Sequence, residues 1–351
     1  MLNVSYLLKE EEGLLPAGTC LSYDQIVISE GPVAMSPAQG KPAQADWKIA
    51  FNDQGALSSW TVAGHELISE PLMPCFGRPV VENDFAAYLH EKMQVWEYPA
   101  FRPELVETSG AFRSEGTGYV CDGAGKMSVC YGLPFGVKVM MYYTVSAEGQ
   151  VQLEEKLVDA GGLSSCPNLF RFGVELAMPG AYDTVDYFGL GPFETYCDRI
   201  DAALQGHYTQ RVGQQYHWGY VRPQESGNHE KLRYLAVLDA SGFGLTATSD
   251  KPFSGSALPV SRWDLDLGVN EPGSIHNKKK PFTYQDHAHS YELIGKAYLD
   301  DRAQGTTYLH LDLKQQGVAG IDTWGSLPLE EFRLPAKEYT FSLTLTPWAP
   351  K

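Results

Sequence analysis

VKVMMYYTVSAEGQVQLEEKLV, residues 137–158, has the pattern of a β-hairpin. Apolar and β-branched residues are spaced along Val137–Val145 and again along Gln150–Val158. The segment Ser146–Gly149 between them has the composition of a turn, because serine and glycine favour turn conformations. The two runs therefore predict two antiparallel strands.

The rest of the chain carries similar signals. Further strands are predicted at Trp47–Phe51, Ala56–Val62, Arg171–Met178, Tyr234–Leu238, Gly244–Thr248, Thr306–Leu313 and Tyr339–Thr346. The best helical candidate is Ala86–Trp96. Short strands punctuated by 35 glycines and 22 prolines predict an all-β fold of packed sheets.

One boundary stands out near the N-terminus. Residues 31–45 are rich in proline, alanine and glycine and have no periodicity, which predicts a linker. Residues 1–30 before it have the pattern of one hairpin, and a lone hairpin is marginally stable in water. It either docks on the main domain, residues 46–351, or closes a sandwich whose earlier strands are missing. The second interpretation is favoured, because a bare strand edge promotes aggregation.

Charge and hydropathy exclude several classes of partner. The chain has 43 acidic and 27 basic residues, a net charge of −16, which repels nucleic acids and anionic membranes. We find no apolar run of the roughly 18 residues that a membrane span needs, and we expect no signal peptide at the N-terminus. A cytoplasmic and a periplasmic location both stay open. The six cysteines lack CxxC spacing and are predicted to be buried thiols.

GVAGIDTWGS, residues 317–326, places a tryptophan in a glycine-rich segment that favours neither helix nor strand. Trp324 is therefore expected on a loop. Its indole could be a wedge in the core, which is the commoner fate of tryptophan, or an apolar platform for a flat ligand.

GLGPFETYCDR, residues 189–199, contains the two carboxylates Glu194 and Asp198. A retaining glycosidase uses two carboxyl groups about 5–5.5 Å apart. The adjacent Arg199 holds a carboxylate ionised, whereas the acid partner must keep its proton. A structural network at this turn is therefore favoured over a catalytic pair.

Two other segments carry polar side chains. His287 and His289 share one face of a predicted strand, but no third metal ligand at fitting spacing accompanies them, so a structural role is favoured. FGRPVVENDF, residues 76–85, has by itself the composition of a polar surface turn.

Taken in order, these segments resemble the C-terminal region of the large β-galactosidases of glycoside hydrolase family 2. GLGPFETYCDR is similar to the family's Gly-Leu-Gly-Pro-x-Glu-x-Tyr-x-Asp-Arg signature, and FGRPVVENDF resembles its Phe-Trp-Arg-Ala-Pro-x-Asp-Asn-Asp loop, with Gly77 and Glu82 as departures. Residues 220–227 resemble its Pro-Gln-Glu-Asn-Gly turn, and HAHSYEL and GVAGIDTWGS resemble its closing segments. The resemblance covers nearly the whole chain.

The resemblance implies a large antiparallel β-supersandwich, related to galactose mutarotases, over residues 46–351. It implies that residues 1–30 close the preceding immunoglobulin-like domain. It also implies that the catalytic carboxylates and the Mg²⁺ and Na⁺ ligands lie in a barrel part outside this chain. We therefore expect no catalytic residue, metal or cofactor here, and an isolated chain without activity.

What the resemblance assigns to this chain is Trp324, a tryptophan that stacks on the galactoside substrate and favours sugars over water as acceptor. Arg78, Glu82, Asn83 and Asp84 would lie in a loop near the active site. The chain would act with a barrel-containing remainder, in cis or as a separate chain, in an oligomeric enzyme that hydrolyses terminal β-galactosides with retention. The alternatives are a stand-alone galactose-binding module and a mutarotase.

Overall fold

The structure, a computed structural model, describes residues 1–29, 31, 35–37, 39–96, 102–217, 219–220, 224–265, 305–322 and 324–351. Its strands are β1 Leu2–Leu7, β2 Cys20–Ile26, β3 Lys41–Pro42, β4 Trp47–Phe51, β5 Leu57–Val62, β6 His65–Glu66, β7 Glu70–Cys75, β8 Arg102–Gly110, β9 Arg113–Glu115, β10 Gly118–Cys121, β11 Gly125–Gly132, β12 Val137–Val145, β13 Val151–Asp159, β14 Arg171–Pro179, β15 Thr184–Gly191, β16 Leu204–Arg211, β17 His229–Leu232, β18 Tyr234–Leu238, β19 Gly244–Thr248, β20 Phe253–Leu258, β21 Thr306–Gln315 and β22 Tyr339–Ala349. Its helices are α1 Glu82–Ala86, α2 Leu89–Lys92, α3 Val212–Gln215 and α4 Arg262–Leu265, with 3₁₀ turns at Met93–Trp96, Pro134–Gly136, Leu163–Ser165 and Glu330–Phe332.

Within the described residues the strands form two large antiparallel sheets and a separate hairpin. The first sheet has the order β17-β20-β21-β14-β7-β5-β4-β10-β9, with β6 beside β5. The second has the order β16-β15-β18-β19-β22-β13-β12-β11-β8, with β3 beside β22. The predicted all-β class is confirmed.

The predicted hairpin at residues 137–158 is also confirmed. β12 and β13 pair from Val137↔Asp159 to Val145↔Val151, and alternate residues of both strands are buried. The turn is closed by the Ser146 N–H, which donates to Gln150 O at 2.9 Å. Because successive side chains of a strand point to opposite faces, the inward residues of both strands join one apolar core.

The first sheet buries side chains on both of its faces. Along β14, Phe172, Val174 and Leu176 belong to the apolar core. The alternate residues Arg171 and Glu175 therefore lie on the other face, where they are largely buried too. Cys75 of β7 and His310 and Asp312 of β21 are buried on the same face, and we call these five side chains the polar layer.

The helix predicted over Ala86–Trp96 is wrong in its bounds. Helix α1 begins earlier, at Glu82, where Asp84 accepts a hydrogen bond from the Val81 N–H at 3.2 Å, which corresponds to one of the two bonds of a capping box. Tyr88 then adopts a left-handed conformation, φ 56°, and interrupts the helical path before α2. A periodic apolar pattern does not reveal such a break.

The N-terminal segments contact the second sheet. Gln25 of β2 donates from Nε2 to Gln205 O at 2.8 Å and accepts at Oε1 from the Gln205 N–H at 2.9 Å. In the segment predicted as a linker, Lys41 and Pro42 pair with β22, and Trp348 Nε1 donates to Gln39 O at 2.9 Å. The domain bounds at residues 30 and 45 stay predictions. Among the described residues, no helix is long and apolar enough to cross a membrane.

Candidate functional site

Trp324 lies on the loop that follows β21, and its indole is exposed. The side chain is 88% exposed, as is Ile321 on the same loop. The interpretation of Trp324 as a core wedge is therefore wrong. An exposed indole on a glycine-rich loop has an apolar face available for contact with another molecule.

The base of this loop is held by a buried ion pair between Arg78 and Asp84, each 2% exposed. Arg78 Nε donates to Asp84 Oδ2 at 3.0 Å, and Nη2 donates to Oδ1 at 2.9 Å, a bidentate arrangement. The remaining donors reach the end of β21 and the start of the loop: Nη1 to Gln315 Oε1 at 3.3 Å and to Gln316 O, and Nη2 to Gly317 O at 3.0 Å. All five guanidinium donors are thus used. We call this arrangement the Arg78 clamp.

A second carboxylate fixes the next two residues of the loop. Asp198 Oδ1 accepts from the Val318 N–H at 3.1 Å, and Oδ2 accepts from the Ala319 N–H at 2.8 Å. Asp198 belongs to the 189–199 segment, so two segments far apart in sequence meet on this loop. Charge-assisted hydrogen bonds of this kind are among the stronger ones in proteins.

Asn83 and Asp322 hold the tip. The Asn83 amide, in the orientation that satisfies both its atoms, donates to Asp322 O at 2.9 Å and accepts from the Gly320 N–H at 3.1 Å. Asp322 Oδ1 accepts from the Trp324 N–H at 2.9 Å. This hydrogen bond, with a further one from Ser326, lowers the pKa of Asp322. The ionised carboxylate therefore stabilises the backbone conformation that presents Trp324.

Gly325 is required by both its conformation and its surroundings. Its φ is +98°, which side chains with a Cβ rarely adopt. A Cβ here would also lie 2.8 Å from Ala86 O, at the end of α1. The residue after Trp324 thus packs directly against the 76–87 segment.

Glu194 is part of a structural network, as the sequence favoured. Its carboxylate accepts from Arg199 Nη2 and Tyr220 OH, from Ser226 Oγ at 3.0 Å, and from the Gly227 N–H at 2.7 Å. Burial, followed by the charge of Glu194, raises the pKa of Tyr220 to about 12, so this phenol remains a donor. With four donors directed at it, Glu194 is not placed as a general acid, which must carry its own proton.

These segments surround a cleft of about 190 Å³. Its lining comes from four parts of the chain and includes Asn83, Arg199, Tyr220, Gln224 and Val318. The exposed residue Glu82 also lines the cleft, which we call the motif cleft. It lies next to the base of the Trp324 loop, because Val318 belongs to both.

The prediction of a polar surface turn at residues 76–85 is wrong. Phe76–Val81 are buried, and so is Asp84. Only Glu82 is exposed among the four residues predicted for an active-site loop, while Asn83 is partly buried. Arg78 and Asp84 lie in the interior, at the base of the Trp324 loop. Their charges can be buried because they pair with each other, and composition alone does not reveal this pairing.

The polar layer was missed by sequence reasoning. Arg171 and Glu225 form a buried ion pair at 3.0 Å, and Glu175 lies 3.1 Å from His310. The sequence signal that could have revealed this layer is a charged residue at alternate positions of strands that are otherwise apolar. His287, His289, the HAHSYEL segment and residues 221–223 lie outside the described residues.

Comparison with protein families places most of this chain in one of them. Residues 43–345 match the model of the family described as "Beta galactosidase small chain". Among curated proteins, a β-galactosidase of Halalkalibacterium halodurans is 26% identical over 84% of this chain and 26% of its own length. β-Galactosidases of Priestia megaterium and Vibrio cholerae are 24% and 27% identical over 99% and 98% of this chain. The chain spans 31% and 32% of their lengths.

Solved structures similar to this one include galactose mutarotase relatives. A galactose mutarotase related enzyme from Lactobacillus acidophilus has a TM-score of 0.39 and 8% identity, covering 89% of this chain and 98% of that one. A galactose mutarotase-like protein from Lactobacillus casei has a TM-score of 0.40 and 10% identity, with 87% and 98% coverage. The family match over residues 43–345 is the stronger finding. This chain belongs to the β-galactosidase small chain family.

Proposed function

We propose that this chain is the C-terminal part of a family 2 β-galactosidase and that it supplies Trp324 as a stacking platform for the galactoside. The observation that carries the proposal is the 88% exposed indole on a loop fixed by a buried ion pair and by carboxylate hydrogen bonds to its backbone. Holding an apolar ring in water on an ordered loop is unfavourable unless another molecule covers it. The family membership of the chain identifies a galactoside as the first candidate.

The proposal assigns bond cleavage to the remainder of the enzyme, in cis or as a partner chain. Within the motif segments, Glu194, Asp198 and Asp84 are each engaged by two or more donors. A retaining mechanism needs one carboxyl group that keeps its proton and another that attacks the sugar. We expect both groups, together with the Mg²⁺ and Na⁺ ligands, in the barrel part. The isolated chain is then expected to be inactive.

Trp324 would contribute through the face of its ring. Stacking of an aromatic ring contributes about 0.5–1.5 kcal/mol beyond the buried area. This corresponds to up to about tenfold in affinity, which alters substrate placement without performing chemistry. A platform that holds a second sugar would also favour transfer to sugar over transfer to water.

The test is activity of the assembled enzyme with wild-type chain, Trp324→Ala and Trp324→Phe. Trp324→Ala is expected to raise the KM for lactose by up to about tenfold and to lower the ratio of transgalactosylation to hydrolysis, whereas Trp324→Phe retains most of both. Ile321→Ala is the matched control, because Ile321 is equally exposed on the same loop. Unchanged KM and product ratio in Trp324→Ala would remove Trp324 from the site. Robust lactose cleavage by the purified chain alone would overturn the assignment of catalysis to another part.

A stand-alone galactose-binding module is the second candidate, favoured by the same exposed indole and by the adjacent motif cleft. Calorimetry of the chain alone with galactose and lactose separates the two. Millimolar binding that is lost in Trp324→Ala would support the module. Absence of binding would favour the enzyme part, whose sugar site is completed only on assembly.

A further inference from the structure

We propose that Cys75, Glu175 and His310 of the polar layer form a binding site for a zinc ion. The three residues lie on β7, β14 and β21, which are neighbours in the first sheet. Glu175 pairs directly with His310, and Gly173 of the same strand pairs with Cys75. The sheet register thus brings a sulfur, an oxygen and a nitrogen ligand together on one face.

The separations of the donor atoms fit a tetrahedral ion. Cys75 Sγ lies 3.4 Å from Glu175 Oε2, and His310 Nε2 lies 3.1 Å from the same oxygen. All three donor atoms are within 4.8 Å of one another. A zinc ion with bonds of about 2.3 Å to sulfur and about 2.1 Å to oxygen and nitrogen would separate these pairs by roughly 3.6 and 3.4 Å. These two separations need to change by only about 0.2–0.3 Å.

Zinc binding would change the protonation state of one ligand. Zinc binds cysteine as the thiolate and histidine through a neutral ring nitrogen. Coordination by Cys75 would therefore release the thiol proton to solvent.

Zinc binding would also select one tautomer of His310, with no further proton gained or lost by the ring. Coordination through Nε2 places the ring proton on Nδ1. Ser256 Oγ lies 3.4 Å from Nδ1 and can accept a hydrogen bond from it. Metal-bound histidines usually donate their other ring N–H in this way.

Two guanidinium groups lie beside the site. Arg262 Nε donates to Glu175 Oε2 at 2.9 Å, and Arg171 lies 3.0 Å from Glu225 and 3.7 Å from Asp312. With zinc bound, Arg262 would be a hydrogen-bond donor to a ligand carboxylate, a common arrangement at metal sites.

A pocket of about 140 Å³ adjoins two of the three ligands. Glu175 and His310 line it, together with Glu70, Trp263 and Tyr308. Zinc sites with three protein ligands take water or substrate in the fourth position. We therefore assign that position to a water molecule from this pocket.

The experiment uses the full 351-residue chain, prepared without metal and titrated with Zn²⁺ and with Co²⁺ as a coloured probe. One equivalent of each is expected to bind, with release of a proton and a sulfur-to-cobalt charge-transfer band. Cys75→Ser is expected to abolish the band and weaken Zn²⁺ binding by at least about 100-fold, since loss of a second-shell group alone costs about 10–100-fold. Cys121→Ser is the matched control, because Cys121 is also buried and bonds to Gly123 O at 3.0 Å.

X-ray absorption of the zinc-loaded wild-type chain keeps the test independent of the variants' folding. One sulfur at about 2.3 Å and at least one imidazole nitrogen at about 2.0–2.1 Å are expected. No stoichiometric binding, or a ligand shell without sulfur, would overturn the proposal. The site does not depend on the galactosidase assignment, so either proposal can fail alone.

Discussion

Arg78 and Arg171 are both buried against carboxylates, but their hydrogen bonding differs. All five donors of Arg78 are used, by Asp84, Gln315 and two backbone carbonyls. Arg171 donates from Nη2 to Glu225, yet its Nε and Nη1 have no hydrogen-bond partner among the described residues. Asp312 lies 3.7 Å from Arg171 Nη1, and neither of its carboxylate oxygens has a hydrogen-bond partner among the described residues.

The difference indicates two uses of buried charge. A fully satisfied pair has one favourable geometry, and breaking it leaves an uncompensated charge. The Arg78 clamp is therefore suited to fixing the loop that presents Trp324. Arg171 and Asp312, by contrast, have buried polar atoms that water or an ion could satisfy. This arrangement is suited to a place next to a ligand-binding site.

The largest effect is expected from Arg78→Met. The change leaves Asp84 buried without its cation and is expected to lower the free energy of unfolding by about 3–5 kcal/mol. Urea unfolding of the chain measures it. Arg113→Met is the control, because Arg113 pairs with Asp122 on the surface, where no measurable change is expected. Equal effects of the two substitutions would contradict the role of the clamp.

The free energy of unfolding is expected to depend on pH through Asp312, which lies beside Arg171. Burial, with Arg171 opposing and Glu225 adding to it, raises the pKa of Asp312 to about 7. The folded state thus binds a proton more tightly than the unfolded state. This contribution to stability is fully present below the unfolded pKa near 4 and is lost as pH rises through 7.

Asp312→Asn removes this ionisable group, so the free energy of unfolding should depend less strongly on pH. We expect the stability advantage of the variant over wild type to be larger at pH 8 than at pH 5, by about 2–3 kcal/mol. Burial also raises the pKa of Glu230 to about 7, so the stability of the variant still depends partly on pH. Urea unfolding at both pH values measures this. Parallel curves for the two proteins would mean that Asp312 does not titrate as described.

A smaller effect is expected from Asp198→Ala in the assembled enzyme. The loss of its bonds to the Val318 and Ala319 N–H groups loosens the Trp324 loop at its base. The KM for lactose is expected to rise about three- to tenfold, approaching the value for Trp324→Ala, while kcat stays within about twofold. Asp201→Ala, an exposed acid nearby in sequence, is the control. A loss of kcat with unchanged KM would indicate a role other than loop positioning.

The smallest effect is expected from Asp322→Ala. It removes one acceptor for the Trp324 N–H at the loop tip, while the Arg78 clamp and Asp198 stay in place. We expect a rise in KM of about twofold, and the wild type should approach the variant as Asp322 is protonated at acid pH. The pH dependence of KM for the two proteins measures this. A tenfold effect would place the principal anchor at the tip instead of the base.

Much of the fold could be predicted from local pattern. The β12–β13 hairpin follows from alternation and a Gly149 turn, since one face of each strand packs on the core. The break at Tyr88 could not, because a single residue in the left-handed conformation leaves no mark on an apolar periodic pattern. The exposed position of Trp324 was an open alternative, because an isolated segment does not show whether other elements cover it.

The candidate site, too, could be predicted from the sequence only in part. The motifs that resemble the family identified the segments that meet at the motif cleft. They did not reveal that Arg78 and Asp84 are buried, or that Asp198 holds Val318 and Ala319. Nor did they reveal the polar layer, because Cys75, Glu175 and His310 become neighbours only through strand order.

The most direct test of the central claim is a double-mutant cycle with Arg78→Lys and Trp324→Ala, read as the KM for lactose in the assembled enzyme. Lysine keeps the charge of residue 78 but cannot make the bidentate pair with Asp84 or reach both loop carbonyls at once. If the clamp acts through the indole, Arg78→Lys raises KM in the presence of Trp324 and has no further effect once Trp324 is alanine. Independent, multiplicative effects of the two substitutions would contradict the account.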